Sequence, residues 1–167
     1  MRCTRSRGSR GFHCLVCSPR PGERGRYHAP VRRRFQMAIS AWNWTVSLDS
    51  PDGKYNASIE WANEIAMGAP TSGQLEISNN LTFPACSPSI AWSNDSLFLA
   101  VPQWQAYDNG HRQRLMIVSM DHRKFQLLDD DYSVLEIESF TNNIVQGVNS
   151  PAHNPRLVTV DTSGIAW

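Results

Sequence analysis

The chain has 167 residues, 41% of them hydrophobic, and a formal net charge of +1, which suits an ordinary globular domain and excludes low-complexity or collagen-like chains. No run approaches the roughly 18 apolar residues of a membrane helix, and residues 11–16 are too short and interrupted for a signal-peptide core, so a soluble, cytoplasmic protein is expected. The near-neutral total hides a division: residues 1–36 hold ten Arg and one acid, Glu23, whereas residues 37–167 hold six bases and 14 acids, which marks a boundary at Met37.

Residues 1–36 carry Pro19, Pro21, Gly22, Gly25 and Pro30, and their few apolar residues follow neither a period of two nor one of 3.6. A disordered basic arm is expected. Four readings fit it. It is an upstream extension without structural purpose, with Met37 opening the folded unit or standing as the true start; a targeting presequence, Arg- and Ser-rich and poor in acids; a nucleic-acid tether whose guanidinium groups neutralise phosphates without any fold; or half of a zinc site at Cys14-Leu15-Val16-Cys17. Against the tether, Phe12, Tyr27 and Phe35 are the arm's only stacking residues, and the acidic remainder repels a phosphate backbone. Against zinc, Cys3, His13 and His28 stand at irregular spacing and make no second ligand pair. Cys86 is alone in residues 37–167, so no intrachain disulfide forms there and a reducing compartment is expected.

Beyond Met37 the dominant pattern is a self-match at a spacing of about 43 residues. Ser50-Pro51-Asp52-Gly53-Lys54-Tyr55-Asn56-Ala57 is echoed by Ser93-Asn94-Asp95-Ser96-Leu97-Phe98-Leu99-Ala100, Trp61 falls on Trp104, and a looser copy begins at Phe140-Thr141-Asn142-Asn143. A period of 40–50 residues with four short strands per unit is the arithmetic of propeller-type repeats. Strands are predicted over residues 44–48, 55–61, 74–78 and 81–84 in the first unit (44–84), and over 89–92, 97–103, 114–120 and 124–128 in the second (89–128). The third unit (134–167) gives 134–140, 144–148, 156–161 and 164–167. No convincing helix is read; the one exception to weigh is 61–67, where apolar residues crowd without clear strand alternation.

Polarity separates the units. In the first, Tyr55, Ala57, Ile59 and Trp61 alternate with Asn56, Ser58 and Glu60, and Leu75 and Ile77 with Gln74, Glu76 and Ser78, which predicts one buried and one wet face. In the second, residues 97–101 and 115–118 are apolar on both sides, so that sheet should be covered twice. The third is intermediate, with Gln146 and Thr159 on one side and Val145, Val158 and Val160 on the other. Wet, dry, wet is the order of a finite stack. The predicted fold is therefore all-β: three four-stranded antiparallel propeller-like blades in an open array spanning residues 37–167, preceded by the arm. A monomer follows, with a homodimer that completes the ring as the alternative.

Ser50-Pro51-Asp52-Gly53-Lys54-Tyr55 and Ile90-Ala91-Trp92-Ser93-Asn94-Asp95 resemble the turn between the first two blade strands of the TolB-like and tryptophan-aspartate-repeat propeller superfamily, and residues 115–121 resemble its third strand. The resemblance covers residues 44–167 and implies the repeat type. Members act as scaffolds, periplasmic partners and peptidase covers, so it implies no activity. There are three units, no Gly-His before the strands and no Trp-Asp pair closing them, and no family site transfers.

No nucleophile elbow, phosphate-binding glycine loop or His-Glu-x-x-His helix is present. Asp129-Asp130-Asp131 lacks the spaced oxygen ligands and turn glycine of a calcium loop and reads as a solvated acidic turn. His111, His122 and His153 have no carboxylate and nucleophile at triad spacing. No cofactor and no metal are expected. Four Asn-x-Ser/Thr triplets, at Asn43, Asn56, Asn80 and Asn94, read as turn and strand residues.

The candidate partner-binding residues are Trp61 and Trp104, which enter equivalent long loops, with Tyr107, Asp108 and His111 in the second loop. Aromatic residues beside polar ones are typical of interaction hot spots. The competing reading is that both tryptophans cap the ends of the core. The function expected is a non-catalytic protein-interaction module. Alternatives are a small hydrolase with a polar site on the same rim, and a nucleic-acid tether through the basic arm.

Overall fold

The Ser-x-Asp repeat is a repeat of atoms as well as of letters. Ser50 Oγ donates to Asp52 Oδ1 at 2.7 Å and accepts Tyr55 N–H at 3.0 Å, while Asp52 Oδ1 also accepts Lys54 N–H at 3.1 Å. Forty-three residues on, Ser93 Oγ donates to Asp95 Oδ1 at 2.6 Å and accepts Phe98 N–H at 2.9 Å, and Leu97 N–H reaches Asp95 at 3.0 Å. Gly53, at φ +73°, is matched by Ser96 at φ +67°. Each turn docks on the next. Asp52 N–H donates to Ser96 Oγ at 3.0 Å, and Asn142 N–H, from the third unit's turn, to Asn94 Oδ1 at 3.3 Å.

The computed structural model describes residues 37–167, so the expectations for the basic arm lie outside the described residues. Eleven strands lie between the turns: β1 (Val46–Asp49), β2 (Asn56–Glu64), β3 (Thr71–Ile77), β4 (Leu81–Cys86), β5 (Ala91–Trp92), β6 (Phe98–Tyr107), β7 (Gly110–Ser119), β8 (Lys124–Tyr132), β9 (Leu135–Thr141), β10 (Ile144–Asn149) and β11 (Arg156–Asp161). All pairings are antiparallel, and there is no helix among the described residues. One sheet runs β1-β2-β3-β4-β6-β7-β8, with β5 beside β6, and a second runs β11-β10-β9. The link between β4 and β6 is a single bridge, Cys86 to Gln103, so the first sheet consists of two groups, β1–β4 and β5–β8. Among the described residues the strands close no ring.

Two apolar layers hold the three groups together. Ile59, Leu75 and Ile77 of the first group pack with Leu99, Val101, Met116 and Val118 of the second. On the other side, Ala100, Leu115 and Ile117 pack with Leu135, Ile137, Phe140 and Val145 of the third. The middle strands are thus covered on both faces, as their uninterrupted apolar runs require, and each large side chain so buried contributes about 1.5–3 kcal/mol. The first group keeps Ser58, Glu60, Gln74 and Glu76 together on its outer side. The edge of β9 that faces the second group is satisfied by side chains. Leu135 N–H donates to Gln113 Oε1 at 2.5 Å and Ile137 N–H to Ser89 Oγ at 2.8 Å, which seals polar groups that would otherwise be buried without partners.

Several predicted boundaries are corrected. Residues 164–167 are not a strand: Thr162 N–H and Oγ–H both bond Asn143 O, Ser163 N–H bonds Asp161 Oδ1, and the chain turns so that Trp167 stacks on Phe98 at 5.5 Å and on His122 at 6.1 Å. The third group therefore has three strands. β5 begins at Ala91 because Pro88 lacks an N–H, Ile90 N–H turns back to Pro88 O, and Ser89 serves β9 with its side chain. The expected loop over 104–113 is a hairpin, with Gln103 to Tyr107 paired residue for residue against Arg114 to Gly110. Asp129-Asp130-Asp131 lies within β8 and is no turn. The crowded stretch at 61–67 continues β2 as far as Glu64.

Candidate interaction site

The β6–β7 hairpin turns at Asp108-Asn109, where Gly110 takes φ +119°. Lower in the hairpin, Leu99 to Val101 and Leu115 to Val118 are buried. Above Gln105 the neighbouring layers end, and residues 106–112 are exposed on both faces. A strand wet on both faces needs no alternation, so its polar letters look like a loop in the sequence.

Side chains hold the tip in place. Tyr107 O–H donates to Asp131 at 2.8 Å, Arg114 Nη2 pairs with Asp129 at 2.7 Å, and Arg114 Nε donates to Leu128 O at 2.6 Å. Accepting that hydrogen bond, the Asp131 carboxylate raises the Tyr107 phenol above its usual pKa. Tyr107 remains 41% exposed, and Asp108 and His111 are exposed beside it.

The structure brings Tyr107, Asp108 and His111 together and separates them from Trp104. That ring is buried, and its indole N–H donates to Thr71 O at 3.1 Å, while Thr71 Oγ–H donates to Asn43 O at 2.6 Å. Trp104 is thus a buried side chain tied to β3 of the first group, not an exposed one beside Tyr107. Trp61 stands in β2, and its side chain lies outside the described residues.

A groove of about 280 Å³ opens between the 67–70 loop of the first group and residues 150–153 of the third, which connect β2 to β3 and β10 to β11. Trp42 and Val134 form its other walls, and Met67 is wholly exposed at its margin. Trp42 Nε1–H donates to Gly68 O at 3.3 Å, and Gly68 N–H to Glu64 at 3.0 Å. No motif in the sequence marks this groove. Gly68, Pro70 and Pro151 mark loops, but nothing in the letters says that these loops, far apart in the chain, meet.

Ser119, His122 and Cys86 are engaged structurally. Ser119 Oγ lies 3.1 Å from His122 Nδ1 but is itself buried and accepts His122 N–H, with Trp167 against the imidazole face. Burial pushes the Cys86 thiol up to about 12, which keeps it protonated and unreactive. Among the described residues, no three His, Cys, Asp or Glu side chains gather as a metal site would need, and no helix is long and apolar enough to cross a membrane. Comparison with protein-family models, curated proteins and solved structures gives no match.

Proposed function

We propose that β1–β4, β5–β8 and β9–β11 are propeller-type blades in an open array, and that the array is a non-catalytic module that binds another protein through the β6–β7 hairpin tip. Support for the blades comes from the 43-residue period, from Ser-x-Asp turns that repeat bond for bond, and from a middle group sandwiched between two others. The observation that carries the binding role is the tip itself. Tyr107, Asp108 and His111 project from a ribbon exposed on both faces yet fixed by Asp131 and the Arg114–Asp129 pair. A preorganised aromatic and polar projection loses little conformational entropy when it is covered.

The test is photocrosslinking in the native cell, with p-benzoylphenylalanine placed in turn at positions 107, 111 and 157. The expected result is one discrete protein adduct from positions 107 and 111 and none from Leu157, which is exposed on β11 away from the tip. Identical labelling from all three positions, or adducts from none, would remove the tip as an interface.

A further inference from the structure

The tip of the β6–β7 hairpin carries chemistry of its own. Asn109-Gly110 is the single Asn-Gly pair in the sequence. An asparagine carboxamide is an electrophile within reach of the next residue's backbone nitrogen, and the five-membered ring that joins them closes most readily where that residue lacks a Cβ. Both residues are exposed, and even an added Cβ at Gly110 would meet nothing within 4 Å, so no neighbour crowds the approach. Among the described residues, no hydrogen bond holds the Asn109 carboxamide.

The turn at Asp52-Gly53 shows what restrains a similar pair. There the side chain is an ionised carboxylate, a poor electrophile, that accepts from Ser50 and Lys54, and Gly53 N–H donates to Ser50 O at 2.8 Å. At the hairpin tip the restraint is of another kind. Tyr107 and Gly110 are the last pair of the β6–β7 ladder, and the Tyr107–Asp131 bond ties that pair to β8. An exposed ladder end opens more readily than the core strands below it, and an open pair frees the Gly110 nitrogen to turn on the carboxamide.

We propose that Asn109 is a self-modification site, converted without an enzyme to aspartate and isoaspartate at a rate set by opening of the hairpin tip, which the Tyr107–Asp131 bond restrains. First, the Gly110 nitrogen gives up its proton and bonds to Asn109 Cγ, the Cγ–Nδ2 bond breaks, and the amide nitrogen takes up a proton and leaves as ammonia. Water then opens the cyclic imide. Cleavage between Cγ and the Gly110 nitrogen leaves aspartate on an unchanged backbone. Cleavage at the Asn109 carbonyl carbon leaves isoaspartate, with the main chain running through Cγ. Either product sets a new carboxylate beside Asp108, and isoaspartate also lengthens the main chain within the turn that pairs Tyr107 with Gly110. The conversion requires no partner, so it holds whether or not the tip is an interface; where it is one, the change falls within it.

The full chain is held in warm neutral buffer and sampled over days by peptide mapping, with isoaspartate distinguished from aspartate by its fragmentation. Asn109 is expected to gain the mass of O in place of NH and to yield both products, while Asn94 and Asn142, exposed in the turns of the second and third groups, stay intact. Tyr107→Phe, which keeps the ring and removes the hydroxyl, should raise the rate about fivefold, the factor that one hydrogen bond's net contribution makes in an opening equilibrium. Asn109→Gln, which would need a six-membered ring, should stay unmodified. An intact Asn109, aspartate without isoaspartate, conversion of Asn94 or Asn142 at the same rate, or equal rates in wild type and Tyr107→Phe would overturn the proposal.

Discussion

Asp52 shows how a single carboxylate organises a turn. It accepts from Ser50 Oγ and from Lys54 N–H, and the Lys54 ammonium stands 3.0 Å from its other oxygen. The Ser50 hydrogen bond, then the Lys54 backbone bond, hold its folded pKa well below the ordinary value of 3.8. Because the folded value is the lower one, the ionised carboxylate adds stability at neutral pH that is lost as pH falls below about 4. Asp52→Asn should therefore lower the urea midpoint at pH 7, and the gap between variant and wild type should narrow progressively as pH falls below about 4. A gap unchanged by acid would place the contribution elsewhere. Ser96 has a different constraint. It occupies a left-handed position that its counterpart fills with Gly53, and it keeps a side chain there because Asp52 N–H needs its hydroxyl.

At the scale of the element, β10 depends on a residue without a side chain. The β9–β10 register shifts between Gln146 and Gly147, and a Cβ at Gly147 would run into the carbonyl oxygen of Glu136. Backbone on the neighbouring strand cannot swing aside as a side chain would, so Gly147→Ala should cost about 1–3 kcal/mol by urea unfolding. Gly164→Ala, with nothing near its Cβ, should stay within about 0.5 kcal/mol of wild type. The same elements show what could be read from letters. Strands with one buried face announced themselves: Ala57, Ile59, Leu75 and Ile77 alternate with polar residues, and β11 runs over the predicted residues 156–161. Strands that leave the core did not. Gln103 to Tyr107 are held by backbone pairing, and Asp129 to Asp131 by the pairing of Asp131 with Arg114 beyond a register shift and by the side chains of Arg114 and Tyr107; neither leaves a hydrophobic period, so in sequence the hairpin reads as a loop and the strand end as a turn. Trp104 and Tyr107 looked alike in sequence. Only the layer beneath Thr71 distinguishes a buried ring from an exposed one.

For the whole molecule the decisive quantity is what its two outer sides carry. On the first group, Asn56 Nδ2 bonds Asp49 at 2.8 Å and Ser47 at 3.1 Å, and Ser58, Glu60, Gln74 and Glu76 line a pocket. The third group exposes Gln146, Thr159 and Asp161. Joining two copies head to tail would press these sides together. Carboxylates would face carboxylates, and each polar group left without a partner would cost on the order of 1–3 kcal/mol. The inner layers show the contrast, for there the facing residues are Ile, Leu, Val and Met. We therefore expect sedimentation velocity to give one species with the mass of a single chain, unchanged when protein concentration rises tenfold. Replacing Glu60 and Glu76 together by Leu should reverse this. It removes two charges from the first group's outer side and creates an exposed apolar patch, so the variant should self-associate in a concentration-dependent way. A wild-type chain that sediments as a dimer would mean that the outer sides find partners in each other, and the open stack would give way to a ring of two chains.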